Sequence, residues 1–301
     1  MSAHRRIILT GATGLIGKAL ASRLTGLGYD IVPFRSRHTG PGGFDDLSGH
    51  IDRASFEGVF AVIHLAGESI AQRWSEAAKE RILTSRRDGT RLLAEALAGL
   101  KQKPVVFISM SGINRYGLRR TETLEETSTV QNDGFLPSVT EAWENATLPA
   151  SEGGIRTVLL RTPLVLSASG GGLKQMLPAF RLGLGGPIGG GQQRMSWIAL
   201  PDLVELIVWA LKNPSIHGPL NAVAPHPVTQ AEFARKLGAA LRRPSFLPMP
   251  AWALSLLFGQ MGRETILSDL SAFPRVALDG GFRFGTPDLA SALKQALGPR
   301  F

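Results

Sequence analysis

The sequence predicts an α/β protein, a doubly wound parallel sheet with a smaller helical region on the substrate side toward the C-terminus. Three observations lead there. An apolar run from Arg6 breaks into the spaced glycines Gly11, Gly14 and Gly17 and resumes with helical periodicity. Short β-branched runs then alternate with amphipathic stretches, as in a parallel sheet whose strands are joined by crossover helices. Beyond about residue 225 the strand-like runs give way to helical segments with proline-rich joints.

The first unit reads as strand, phosphate loop and helix. Gly11 lets the chain turn sharply, Gly14 lets the backbone approach a pyrophosphate, and Gly17 lets the helix pack close to the sheet. The helix N-terminus adds unpaired N–H groups and a partial positive charge. Leu15, Ala19, Leu20, Leu24 and Leu27 form the apolar stripe, Gly26 and Gly28 end it, and residues 30–34 read as the next strand. A complete βαβ unit of this kind is Rossmann-type, and its ligand is a dinucleotide.

At the end of the second strand stands Arg35-Ser36-Arg37-His38. An NAD site of this type places an acid about 20 residues beyond the glycines to grip the ribose 2′-hydroxyl. No acid stands there. Arg35 and Arg37 offer guanidinium forks and Ser36 a hydroxyl, a set suited to a 2′-phosphate, so NADP(H) is favoured over NAD(H). Asp45 or Asp46 is expected near the adenine edge.

Residues 59–67 read as a buried central strand, after which Ala66 and Gly67 leave room for the cofactor. His64 inside it is expected to be a satisfied core residue, and Glu68 a solvated carboxylate. Residues 73–100 form a long amphipathic helix whose charges are mostly a solvated face. Residues 104–111 are another buried strand, ending in the hydroxyls of Ser109 and Ser111 at the sheet edge where this architecture does chemistry. An irregular polar stretch at 112–134 follows, then a helix at 135–150, a strand at 155–161, and a helix at 173–182 flanked by glycines. Further helices are expected at 203–211, 230–241, 250–258 and 288–297. The expected division is a dinucleotide-binding domain at 1–225, with 173–198 as its substrate-side segment, and a C-terminal module at 226–301.

Composition narrows the function. The 301 residues suffice for one large α/β domain with an appendage. The formal charge is +9, but the basic residues are dispersed and only two tyrosines are available for stacking. A phosphate-bearing cofactor and a solvated basic surface explain that charge better than a nucleic acid does. With no cysteine there are no disulfides, thiolate metal sites or cysteine nucleophiles, and the six histidines lack ligand spacing, so no metal is expected. No apolar run approaches the ~20 residues of a membrane span, and the chain enters a strand at once, which leaves no room for a signal peptide. The expectation is a cytoplasmic protein acting on a small molecule, with no membrane or nucleic-acid partner and its oligomeric state open.

With these residues in place, the chain resembles the extended short-chain dehydrogenase/reductase superfamily, and within it the atypical NAD-dependent epimerase/dehydratase-like group of epimerase family proteins. The resemblance rests on Thr10-Gly11-Ala12-Thr13-Gly14-Leu15-Ile16-Gly17, His64-Leu65-Ala66-Gly67-Glu68, Ser85-Arg86, Leu160-Arg161-Thr162 and the block from Phe180 through Ile198. Pro227-Val228-Thr229 and Gly281-Phe282-Arg283-Phe284 are similar to that group's tail domain. It implies cofactor contacts from Gly11, Thr13, Gly14, Leu15, Ile16 and Gly17, and from Leu65, Ala66, Gly67, Ser109 and Arg161. Ser111 matches the hydroxyl that polarises a substrate carbonyl, and Tyr116 with Gly117 resembles the group's loop.

The superfamily's proton-transfer pair, a tyrosine with a lysine four residues on, does not carry over. Tyr29 and Tyr116 are the only tyrosines, and Phe135 and Val139 stand where the pair is expected. Asn114, Arg115, Pro163 and Ala199 also depart from the group's pattern. The function implied is an NADP-dependent oxidoreductase or epimerase acting on a small polar metabolite, with Ser111 and Tyr116 orienting a carbonyl. The alternative is a cofactor-binding redox sensor without turnover.

Overall fold

The computed structural model describes residues 5–298. The chain opens with β1 (Arg6–Thr10), α1 (Leu15–Gly26), β2 (Asp30–Ser36), β3 (Gly43–Asp45), β4 (His50–Ile51) and β5 (Ala61–His64). Then come α2 (Glu76–Ala98), β6 (Val106–Gly112), β7 (Arg119–Leu124), α3 (Phe135–Asn145), α4 (Leu148–Glu152), β8 (Arg156–Thr162) and β9 (Leu164–Leu166). Next are α5 (Gly171–Arg181), β10 (Arg194–Met195), β11 (Trp197–Ala199), α6 (Leu200–Lys212) and β12 (Gly218–Asn221). The chain closes with β13 (Val228–Thr229), α7 (Gln230–Leu241), α8 (Ala251–Thr265), β14 (Asp269–Ala272), α9 (Arg275–Asp279) and α10 (Leu289–Leu297).

Eight strands form one Rossmann-like sheet in the order β12-β8-β6-β5-β1-β2-β3-β4, parallel except for the β3–β4 pair. β1 lies between β5 and β2, so the strand order reverses beside it and a crevice opens at its C-terminal end. Alternation along β1 shows the double winding. Ile7 and Leu9 pack with Leu20 and Leu24 of α1 and Leu203 and Ile207 of α6 on one face. Ile8 packs with Leu93 and Leu97 of α2 and with Phe107 on the other. With both faces covered, strands such as β6 are buried nearly end to end, which is why they read as unbroken apolar runs.

Three features differ from the sequence reading. The stretch expected to be irregular at 112–134 holds β7, which pairs in parallel with β14 from far along the chain. Only Arg120 and Leu124 of β7 are buried, so its sequence carries no apolar signature. β12, not among the expected strands, sits at the sheet edge and contains Gly218 and Pro219, residues of low strand propensity that are tolerated at an edge. The expected helix at 135–150 is two helices, parted at Ala146 and Thr147, with a proline in the first turn of α4. A third core joins α5, α7 and α10 around the fully buried Trp197. Among the described residues no helix is long and apolar enough to cross a membrane, and no group of three or more His, Asp or Glu could hold a metal ion.

Candidate functional site

The loop leaving β1 takes a path that side chains forbid. Gly11 has φ of +67°, and a Cβ there would press within 2.8 Å of the Leu65 backbone at the end of β5. A Cβ on Gly17 would collide with the Gly11 carbonyl oxygen. Gly17 was expected to bring the helix close to the sheet; it closes the helix onto the loop instead. At Gly14 a Cβ would meet only the Gly11 carbonyl oxygen, at 3.2 Å, so its outer side is open. Gly14 caps α1 with no side-chain hydrogen bond, and no acid lies in the first turn. The first bond of the helix runs from the Lys18 N–H to the Gly14 carbonyl. The N–H groups of Leu15, Ile16 and Gly17 therefore remain for an anion, with the exposed Thr13 beside them.

A cavity of about 120 Å³ opens where β2 ends, lined by Ser36, Arg37, Phe44 and Asp46 on one side and Ala66, Gly67, Glu68 and Ser85 on the other. Arg37 adopts a left-handed φ of +56°. Arg35 does not line the cavity, so of the two expected guanidiniums only Arg37 belongs to it. Of the two aspartates, Asp46 lines it, while Asp45 accepts from Ser48 and is held below the usual carboxylate range chiefly by that hydrogen bond.

The structure supplies an acid that the sequence reading did not place here. Glu68 pairs with Arg37 at 3.1 Å, accepts from the Gln72 side chain at 3.1 Å and lies 3.9 Å from Arg81 Nε. It comes from the end of β5 rather than β2, and it is partly buried rather than simply solvated. Arg86 is a second departure, because it is not on a solvated face. Its guanidinium packs 4.9 Å over the Trp143 ring and donates to the Glu68 and Ile82 carbonyls. Burial lowers it to about 10, opposed by Glu68, and it remains a cation at neutral pH.

His64 is the core residue the sequence suggested. The Thr10 hydroxyl accepts from the Leu65 and Ala66 N–H groups and lies 2.7 Å from His64 Nδ1. With its acceptor sites taken, Thr10 donates to Nδ1, and Nε2–H is left to donate to Thr90 Oγ1 at 3.0 Å. Burial, and then the charge of Arg86, lower the imidazole pKa from 6.5 to about 3. The unfolded chain therefore binds the extra proton below 6.5, and stability falls as pH drops through that value until about pH 3. Between about pH 7.5 and pH 5.5 this single group should remove about 1.4 kcal/mol. Urea titrations of the protein and of His64→Asn at both pH values check it: the variant should lose that part of the pH slope.

At the ends of β6 and β8 the hydroxyls and the arginine face inward. Arg161 makes two 2.8 Å bonds to the carboxylate of Glu144 on α3, and Ser111 donates to the same carboxylate at 2.8 Å. Burial pulls the Arg161 guanidinium down, but the hydrogen bonds and charge of Glu144 outweigh it and the net shift is upward. Tyr116 lies beneath that guanidinium, 4.8 Å from ring centre to Cζ, fully buried, and its hydroxyl donates to Asn221 Oδ1. Burial raises its pKa, so a phenolate is disfavoured.

These positions correct three sequence expectations. Ser111 and Tyr116 do not converge on a carbonyl, because both hydroxyl protons are given to interior partners. Ser109 is fully buried and donates to the Met110 carbonyl, so its side chain faces no cofactor. Arg161 supports the site from within the sheet rather than lining it. Phe135 packs edge-on against Trp74, and Val139 is buried. Neither can carry a proton. Glu264 of α8 instead accepts from the Phe135 and Leu136 N–H groups and so caps α3 from the C-terminal part of the chain.

Residues 7–222 match the NAD dependent epimerase/dehydratase family, and residues 249–296 match a domain of unknown function, DUF1731. The chain is 36% identical over 296 residues to the Homo sapiens epimerase family protein SDR39U1, covering 96% of this chain and 99% of that one. Epimerase family protein MT2273 from Mycobacterium tuberculosis is 36% identical over 300 residues, covering 98% of each. Among solved structures, human SDR39U1 with NADPH superposes with a TM-score of 0.88 at 35% identity, covering 98% of this chain and 100% of that one. A structure described as the nucleoside-diphosphate sugar epimerase from Corynebacterium glutamicum gives 0.81 at 31%, covering 98% of this chain and 59% of that one. This chain belongs to the NAD dependent epimerase/dehydratase family and carries that family domain together with DUF1731.

Proposed function

We propose that the protein binds NADP(H) and acts on a small polar metabolite as an oxidoreductase or epimerase whose proton-transfer group is not a tyrosine–lysine pair. The glycine cradle of Gly11, Gly14 and Gly17 below an uncapped helix N-terminus carries the reading. The cradle fits a dinucleotide. Its free N–H groups would hold the pyrophosphate, and Ser36 and Arg37 would hold the 2′-phosphate. When bound, the nicotinamide supplies hydride transfer, and the Ser111–Glu144–Arg161 network keeps the strand ends and α3 in fixed register. The NADPH in the human relative's structure supports a nicotinamide cofactor here.

Titration of cofactor fluorescence with the purified protein and Gly14→Val tests this. A valine at Gly14 finds open space on its outer side and fills the place where a pyrophosphate would lie. The protein should bind NADPH, and the variant should fold normally and lose about a hundredfold in affinity for NADPH and NADH alike. Equal binding by both proteins would remove the cradle from the reading. One observation favours a second reading, a redox sensor without turnover: Phe135, Val139 and the committed Tyr116 leave no activated base at the superfamily's position. NADPH oxidation against a panel of carbonyl metabolites separates the two.

A further inference from the structure

We infer that an apolar, basic-rimmed face built by the 182–187 loop after α5, the 242–250 segment and the first half of α8 docks on an anionic lipid surface. Eight of the thirteen large hydrophobic side chains exposed among the described residues lie in two stretches, 182–184 and 246–258. The two are one surface. Met249 N–H donates to the Pro187 carbonyl at 2.8 Å, Gly189 N–H donates to the Met249 carbonyl at 3.0 Å, and Gly183 abuts Pro244.

α8 is broken at Gly259, where φ is +59°. Its second half carries Glu264 into the interior against α3, while its first half, Ala-Trp-Ala-Leu-Ser-Leu-Leu-Phe, buries only Leu254. Trp252 is 72% exposed and Leu256 79%, as is Phe246 in the preceding loop. A helix apolar on every side belongs in a core or against an apolar phase, and here the described residues cover only its Leu254 side.

Charge selects the partner. The sequence has no acid from 153 to 201 and none from 233 to 263. Arg181, Arg242 and Arg243 border the face, are exposed, and enter no ion pair among the described residues. A second copy would set these like charges against each other without an acid to pair them. An anionic bilayer offers both what the rim lacks and an apolar layer for Trp252 and Leu256. The contact lies on the membrane rather than across it. The absence of a spanning helix among the described residues is therefore no objection, and the proposal departs from the expectation of no membrane partner.

Vesicle flotation of the full chain tests the inference, with phosphatidylcholine alone and with about 30% phosphatidylglycerol added. The protein should float with the anionic vesicles only and be released at about 0.5 M salt. Arg242→Glu with Arg243→Glu should lower partitioning tenfold or more, given about fivefold for each base lost near the surface. Trp252→Ser with Leu256→Ser should abolish it while the melting temperature stays unchanged. Failure to float with anionic vesicles overturns the proposal. So does equal flotation with neutral ones, or a dimer in light scattering that the Trp252 and Leu256 changes dissolve, which would assign the face to a second copy.

Discussion

Glu144→Ala should destabilise the protein by about 3–5 kcal/mol, the cost of leaving a buried charge without its partner. The carboxylate is 8% exposed and its partner Arg161 5%. It takes both Arg161 bonds and the Ser111 hydroxyl, with Arg115 Nε 3.6 Å away. Arg161 Nη1 already lacks a protein partner and Glu144 is the one carboxylate that guanidinium pairs with among the described residues, while Arg115 keeps a 3.1 Å bond to Glu141. The attraction itself is not the source of the loss, because much of it offsets the cost of burying two charges. Arg161→Met in the Glu144→Ala background should therefore recover a substantial part of the stability. Urea unfolding of the single and double variants measures this. A Glu144→Ala loss under about 1 kcal/mol, as for an exposed pair, would show that water reaches the network.

The same residues show what the sequence could and could not disclose. Glycine spacing and apolar alternation are local, and they were enough to place β1, α1, β5, β6, β8 and the cradle. β7, β14 and β12 were missed because edge strands need no apolar signature, and two of them pair across some 150 residues of chain. The site's electrostatics were less legible still. Arg37 and Ser36 stand out in the sequence from their position after β2, and both line the cavity, but Glu68 meets Arg37 only because β5 and β2 flank β1. Ser111 and Tyr116 were identified as hydroxyls at a functional edge, yet their direction depends on Glu144 and Asn221, on other elements. Glu264 caps α3 from 128 residues away, and no spacing rule could have found it.

Arg37→Ala should weaken NADPH binding about ten- to hundredfold and leave NADH nearly unchanged, the range expected for a charge-assisted bond to phosphate. Glu68→Gln should act in the opposite sense. A 2′-phosphate brings roughly two negative charges, and it must enter beside a carboxylate that already holds Arg37 at 3.1 Å. Neutralising Glu68 removes the repulsion and frees the arginine, so NADPH affinity should rise by about tenfold at low salt. NADH has no such phosphate, and its ribose hydroxyl loses a strong acceptor, so its affinity should fall. In the Arg37→Ala background the Glu68→Gln gain should shrink, because part of it is the release of that guanidinium; the removed repulsion, with the release of Arg81 3.9 Å from the same carboxylate, accounts for the rest. Added salt should narrow every difference, since the Glu68 side chain is 23% exposed and Arg37 49%. Fluorescence titrations of the four proteins with both cofactors read all of these terms. A Glu68→Gln variant that binds NADPH more weakly would mean that Glu68 holds Arg37 in its binding geometry rather than competing for it.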